Sequence, residues 1–178
     1  MNLPNILTIL RCAMVPLMVG LCYLPEECLW IPGIVFALAS VTDWLDGYLA
    51  RRHSLITDFG KFLDPLADKV LVLSALVMLT RLERIPAWLT VLILARELAV
   101  DGLRMIAVGK GRVIAAAWAG KVKTFSQMVL ILFLFFLGWR WNENPFILAG
   151  TVWVAFITLY SGVQYFVRNG DALRGKEE

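Results

Sequence analysis

Five short breaks interrupt this chain: PEEC at 25–28, ARRHSLITDFG at 50–60, RLERIP at 81–86, VGKGR at 108–112 and RWNENP at 140–145. Between them run stretches of Leu, Val, Ile, Ala and Phe, each about twenty residues long, the length a helix needs to cross the hydrocarbon layer of a bilayer. The chain is 60% hydrophobic with a mean hydropathy of +0.73, whereas a soluble domain is about 45–50% apolar. Together these features predict an all-α integral membrane protein. The breaks leave six transmembrane helices near 4–24, 29–50, 59–80, 86–108, 115–138 and 145–167, in a single domain over 1–178 with a charged tail at 169–178.

An even number of crossings puts both ends on one side. Arg11, Arg51, Arg52, Lys61, Lys69, Arg104, Lys110, Arg112, Lys121, Lys123, Arg168, Arg174 and Lys176 fall on that side, and only Arg81, Arg84 and Arg140 fall opposite. The positive-inside bias therefore predicts cytoplasmic termini. The start, MNLPNILTILRC, has no basic n-region and carries Arg11 where an apolar stretch should run, so the first helix is expected to be retained. Asn2, Asn5, Thr8 and Arg11 recur every three residues on one helical stripe, which predicts an interfacial segment that then dives into the bilayer. Cys12, Cys22 and Cys28 form no C-x-x-C or Cys/His pattern and read as packing residues. No nucleic-acid partner is expected.

The acids are concentrated in DWLDGYLARRHSLITDFGKFLDPLADK, residues 43–69, which holds five aspartates. Asp43 and Asp46 are three apart, and Asp64 and Asp68 are four apart, so each pair shares a helix face. If the second and third spans form a hairpin, the four carboxylates meet at one depth. Two like charges about 4 Å apart repel by roughly 4 kcal/mol at an effective dielectric of 20. Such a cluster calls for cations, and its all-oxygen character suits hard ions such as Mg²⁺, Mn²⁺ or Ca²⁺. Two ions bridged by shared carboxylates would suit an in-line displacement at phosphorus. Gly47 and Gly60 lie one turn from Asp43 and Asp64 and remove side chains beside the cluster. Pro65 predicts a kink in the third span, Asp58 a first-turn role, and His53 a solvated loop position.

The pattern Asp43-x-x-Asp46-Gly47-x-x-Ala50-Arg51, then eight residues, then Gly60-x-x-x-Asp64-x-x-x-Asp68 resembles the signature of the CDP-alcohol phosphatidyltransferase family at every fixed position. NLPNILTILR, FGKFLDPLADKV, AREL followed by GLR, and GKVKT extend the likeness over most of the chain. The resemblance implies the six-helix fold of that family: a homodimeric, multi-pass enzyme of the bacterial cytoplasmic membrane, with its active site facing the cytoplasm. It implies CDP-diacylglycerol as donor, an alcohol acceptor, and release of CMP. It also implies two divalent cations, Mg²⁺ or Mn²⁺, held by Asp43, Asp46 and Asp64 with help from Asp68, the last acting as general base. Asp43, Asp46, Gly47, Ala50, Arg51 and Gly60 would then bind CDP-diacylglycerol.

A phosphorylated acceptor needs cations of its own. Arg104, Arg112, Lys121 and Lys123 fall on the acid side of the membrane, which favours glycerol 3-phosphate over neutral alcohols because its dianion takes charge-assisted hydrogen bonds. Arg96 and Glu97 lie nearer mid-span and read as a structural pair. Two other readings remain open: a relative using another acceptor, in cardiolipin, phosphatidylinositol phosphate or phosphatidylserine synthesis, and a cation transporter or channel.

Overall fold

The computed structural model describes residues 3–53, 58–111, 114–115 and 117–170; for 3–7, 43–53 and 58–65 it describes the backbone alone. Among the described residues the regular structure is entirely helical. The order is α1 Leu3–Leu21, α2 Trp30–His53, α3 Asp58–Arg81, α4 Ala87–Gly109, α5 Trp118–Leu137 and α6 Pro145–Asn169, with one 3-10 turn at Glu26–Cys28 before α2. Each helix lies close to one of the apolar runs. The largest departure inside the motif is at α2, which continues to His53, so the histidine ends a helix instead of lying in a loop. The backbone of α3 stays helical through Pro65.

Packing divides the chain into two compact units: Met1–Arg84 with Ile131–Arg140, and Ile85–Leu130 with Trp141–Glu178. In the first unit α1 packs on both α2 and α3, and α2 packs on α3. The buried face of α1 is Thr8, Arg11, Val15, Met18 and Cys22, a three-and-four spacing that makes one stripe. Thr8 and Arg11 continue the core stripe inward, and α1 is one unbroken helix from Leu3 onward, because their spacing is in phase with the apolar residues that follow. Asn2 and the Asn5 side chain lie outside the described residues. All three cysteines are free thiols, with Cys22 in the core and Cys12 exposed.

The end of the unit remote from the aspartates is tied by ionic and aromatic contacts. Arg84, expected to mark a loop, is 3% exposed and donates to Glu26 Oε2 at 2.8 Å. Arg140 pairs with Glu83 at 3.1 Å, and the Arg81 guanidinium lies 4.1 Å from the Tyr23 ring centroid. Nearby, the Phe36 and Phe135 rings meet at 6.4 Å, which brings the Ile131–Arg140 segment onto α2.

In the second unit α4 packs on α6. Val100, Leu103, Ala107 and Tyr165 form a buried cluster, with Ile114, Ala117 and Phe166 against it. The start of α6 is set by Asn144, whose Oδ1 accepts from the Phe146 amide at 2.9 Å, and by Pro145 in the first turn, an arrangement that satisfies an otherwise orphaned donor.

Among the described residues two helices, α5 and α6, are by themselves long and apolar enough to cross a membrane. In α4 the run is interrupted by Arg96, Glu97, Asp101 and Arg104. Large apolar side chains stand outward on these helices, among them Phe146, Val152, Phe156, Val163 and Val167 on α6. A surface of that kind is stable against lipid and costly against water.

A close approach in the first unit is directly testable. A Cβ added at Gly33 would stand 2.8 Å from Phe135 Cβ, closer than carbon atoms pack, and the obstruction sits near the stem of the side chain where it cannot swing away. Gly33→Ala should therefore destabilise the protein by about 1–3 kcal/mol, read as a lower thermal midpoint in detergent.

Candidate active site

The aspartates occupy the facing ends of two packed helices. Asp43 lies ten residues before the end of α2, and Asp68 ten residues after the start of α3; Asp46 is seven before that end and Asp64 six after that start. Only residues 54–57 separate α2 from α3, and helices so joined and packed on each other run antiparallel. At 1.5 Å per residue, Asp43 and Asp68 stand about 15 Å from the connection, and Asp46 and Asp64 about 9–11 Å. The acids are thus paired by height along the hairpin. The side chains of Asp43, Asp46, Gly47, Ala50, Arg51, Gly60 and Asp64 lie outside the described residues.

Asp68 is the described member of the set. It is half-buried, with Oδ1 shielded from solvent. Its helix buries Ala67, Leu71, Val72, Ala75 and Leu79, and Asp68 lies on the stripe that continues through Val72, Ala75 and Leu79 into this core. Asp64, one turn earlier, shares its register. Among the described residues no three His, Cys, Asp or Glu gather as a metal site. The donor chemistry of the four positions, all carboxylate oxygen, is that of a hard divalent ion.

Arg11 was read from sequence as part of the N-terminal stripe, with no role assigned to it at the aspartates. It is fully buried, in the N-terminal half of the helix that packs on both aspartate-bearing helices. The signal was available: an arginine in phase with a core stripe is inside the protein, and a buried guanidinium belongs near carboxylates.

The four basic residues expected to take the acceptor phosphate have different surroundings. Arg104 is half-buried on the last turns of α4; its Nε donates to the Tyr165 hydroxyl at 3.0 Å, and its guanidinium carbon is 5.6 Å from the Tyr165 ring centroid. Lys121 is exposed, and Arg112 lies outside the described residues. Lys123 is 4% exposed, and its Nζ contacts Glu97 Oε1. The same oxygen accepts from Arg96 at 3.1 Å. Lys123 is therefore the counter-ion of an internal carboxylate, and to meet a phosphate it would have to exchange Glu97 for it. Arg96 is accommodated by two glycines: a Cβ on Gly120 would stand 3.6 Å from its NH2, and one on Gly162 3.3 Å from its Cγ.

The comparisons with known proteins agree with this arrangement of motifs. A family model described as CDP-alcohol phosphatidyltransferase matches residues 1–162. The chain belongs to the CDP-alcohol phosphatidyltransferase family. It is 42% identical over 191 residues to a Bacillus subtilis protein named CDP-diacylglycerol--glycerol-3-phosphate 3-phosphatidyltransferase, covering 97% of both chains. Proteins of the same name from Salmonella choleraesuis and Escherichia coli K12 are 41% and 42% identical, covering 97% and 92% of both chains. The family relationship thus spans both compact units and includes all eight fixed positions of the motif.

The Glu97 cluster has a measurable energetic signature. Glu97→Gln removes the carboxylate that compensates two cations, Arg96 at 13% and Lys123 at 4% side-chain exposure. Breaking a buried pair on one side costs about 3–5 kcal/mol. Glu97→Gln should lower stability on that scale in chemical unfolding from detergent micelles, and Glu97→Gln with Lys123→Met should recover a large part of the loss.

Proposed function

We propose that the protein transfers the phosphatidyl group of CDP-diacylglycerol to sn-glycerol 3-phosphate, yielding phosphatidylglycerophosphate and CMP. The observation that carries this reading is the near-full-length identity, 42% over 97% of both chains, to a relative bearing that name, with the acid motif unbroken. The whole chain acts as one catalytic domain. Six membrane crossings, both termini in the cytoplasm, residence in a bacterial inner membrane and a homodimer complete the reading. It is supported by two strongly apolar helices, by outward-facing apolar side chains and by the lopsided distribution of Lys and Arg.

In this reading Asp43, Asp46 and Asp64, aided by Asp68, hold two divalent cations, Mg²⁺ or Mn²⁺. When bound, these neutralise the donor pyrophosphate and stabilise the departing CMP. Asp68 takes the proton from the acceptor hydroxyl, and its shielded Oδ1 on a stripe leading into the core supports a fixed orientation. The acceptor oxygen then forms a bond to the phosphorus that carries diacylglycerol. The bond from that phosphorus to the bridging oxygen breaks, and its electron pair leaves with CMP. Gly47, Ala50, Arg51 and Gly60, with Asp43 and Asp46, border the cytidine nucleotide.

Arg104, Arg112 and Lys121 bind the acceptor phosphate, and Lys123 joins them by releasing Glu97. A dianionic headgroup makes such an exchange favourable, because it offers Lys123 a stronger counter-charge than the shared carboxylate oxygen.

Purified protein in mixed micelles, assayed for CMP release with a panel of acceptors, tests the proposal. Glycerol 3-phosphate should be consumed in preference to glycerol, inositol or serine, with activity lost on chelation and restored by Mg²⁺ or Mn²⁺. Preference for an uncharged alcohol would refute the acceptor assignment, and absence of CMP release would favour a transporter. Asp68→Asn should retain binding of CDP-diacylglycerol while turnover falls by about 10²–10⁴, the usual contribution of a general base.

A further inference from the structure

We propose that Tyr165 is a positioning residue for acceptor recognition: its hydroxyl holds Arg104 Nε so that the two terminal guanidinium nitrogens are presented as a fork to the acceptor's phosphate. The inference deepens, and rests on, the assignment of Arg104 to the acceptor given above.

The geometry is specific. Tyr165 is 2% exposed, packed with Val100, Leu103 and Ala107 of α4. Its ring is therefore fixed before any ligand arrives. Asn169 Nδ2 donates to the Tyr165 carbonyl at 2.9 Å, which ties down the last turn of α6 at the same place. The hydroxyl accepts from Arg104 Nε at 3.0 Å, and the guanidinium lies 5.6 Å from the ring centroid. Two restraints thus act on one planar group, a hydrogen bond at its stem side and the face of an aromatic ring.

A guanidinium has five N–H donors in a rigid plane. One is used by Tyr165, while among the described residues the terminal nitrogens of Arg104 take no partner, and they are not shielded from solvent. Four donors remain in a fixed plane, the fork geometry that pairs two N–H groups with two phosphate oxygens. An unrestrained arginine loses up to about 2 kcal/mol of rotamer freedom on binding. A pre-set arginine has lost much of that freedom before the ligand binds, so the restraint appears as acceptor affinity.

The competing explanation is structural, because a buried tyrosine hydroxyl needs some partner, and Arg104 would serve that need alone. The two explanations differ in what Tyr165→Phe changes. The phenyl ring keeps the packing and removes only the acceptor oxygen. If Tyr165 positions Arg104, the variant should raise KM for glycerol 3-phosphate by about five- to tenfold, the scale of one net hydrogen bond. KM for CDP-diacylglycerol and kcat should stay within about twofold of the parent. Preference for glycerol 3-phosphate over glycerol should fall in parallel.

Arg104→Met provides the internal control. Methionine has no N–H for the hydroxyl to accept, so Tyr165→Phe made in the Arg104→Met background should add nothing, an interaction a double-mutant cycle reads directly. Arg104→Ala separates the layers of the argument. If it leaves KM for glycerol 3-phosphate unchanged, the acceptor assignment of Arg104 fails and the role of Tyr165 falls with it. If Arg104→Ala raises that KM but Tyr165→Phe does not, Tyr165 has no positioning role while the acceptor assignment stands. Equal increases in KM for both substrates, or the same effect of Tyr165→Phe in the Arg104→Met background, would overturn the proposal in favour of general packing.

Discussion

A charged group carried into apolar surroundings must meet a counter-charge or a strong hydrogen-bond partner, and that requirement orders the rest of this structure. Desolvating an ion costs several kcal/mol even after relaxation. The helices here are apolar enough that each internal charge becomes a fixed point of the fold. Glu97 gathers Lys123 and Arg96, Arg84 takes Glu26, and Arg104 takes the Tyr165 hydroxyl. Small residues make room where bulk would interfere, as Gly120 and Gly162 do for Arg96. Polar contacts thus fix which helix faces meet, and apolar side chains fill the space between.

The same constraint acts in reverse at the aspartates. The four aspartates stand in two pairs by height along one hairpin, and carboxylates brought close together repel one another. A buried arginine on α1, the helix that packs on both aspartate-bearing helices, supplies fixed positive charge to that unit. Divalent ions and a pyrophosphate substrate supply the remainder in the proposed reaction.

Much of the fold was legible because its signals are local. PEEC, RLERIP and RWNENP combine turn residues with charge, and the helices end within a few residues of them. Boundaries slipped where a break was polar yet still a good helix former, as in Ala50–His53, where α2 runs on to His53. The N-terminal stripe carries a related ambiguity. Polar residues at three-residue spacing suit a membrane border as well as a core, and only the continuation through Val15 and Met18 into a packed face distinguishes the two. Six apolar runs were equally plain, although in α4 four interior charges, Arg96, Glu97, Asp101 and Arg104, dilute the run.

The sequence by itself determined the helices, the register of the aspartates within each helix and the family, because these depend on spacing along one chain. It could not determine which cations are available to a substrate. Arg104, Lys121 and Lys123 look equivalent in a linear reading, each a basic residue near the end of an apolar run. Tertiary structure separates them: Lys121 is exposed, Arg104 is restrained at its stem by Tyr165, and Lys123 is paired internally with Glu97. The physical reason is that a cation's availability is set by the partner it meets across a helix interface, and those partners lie 61 and 26 residues away in sequence.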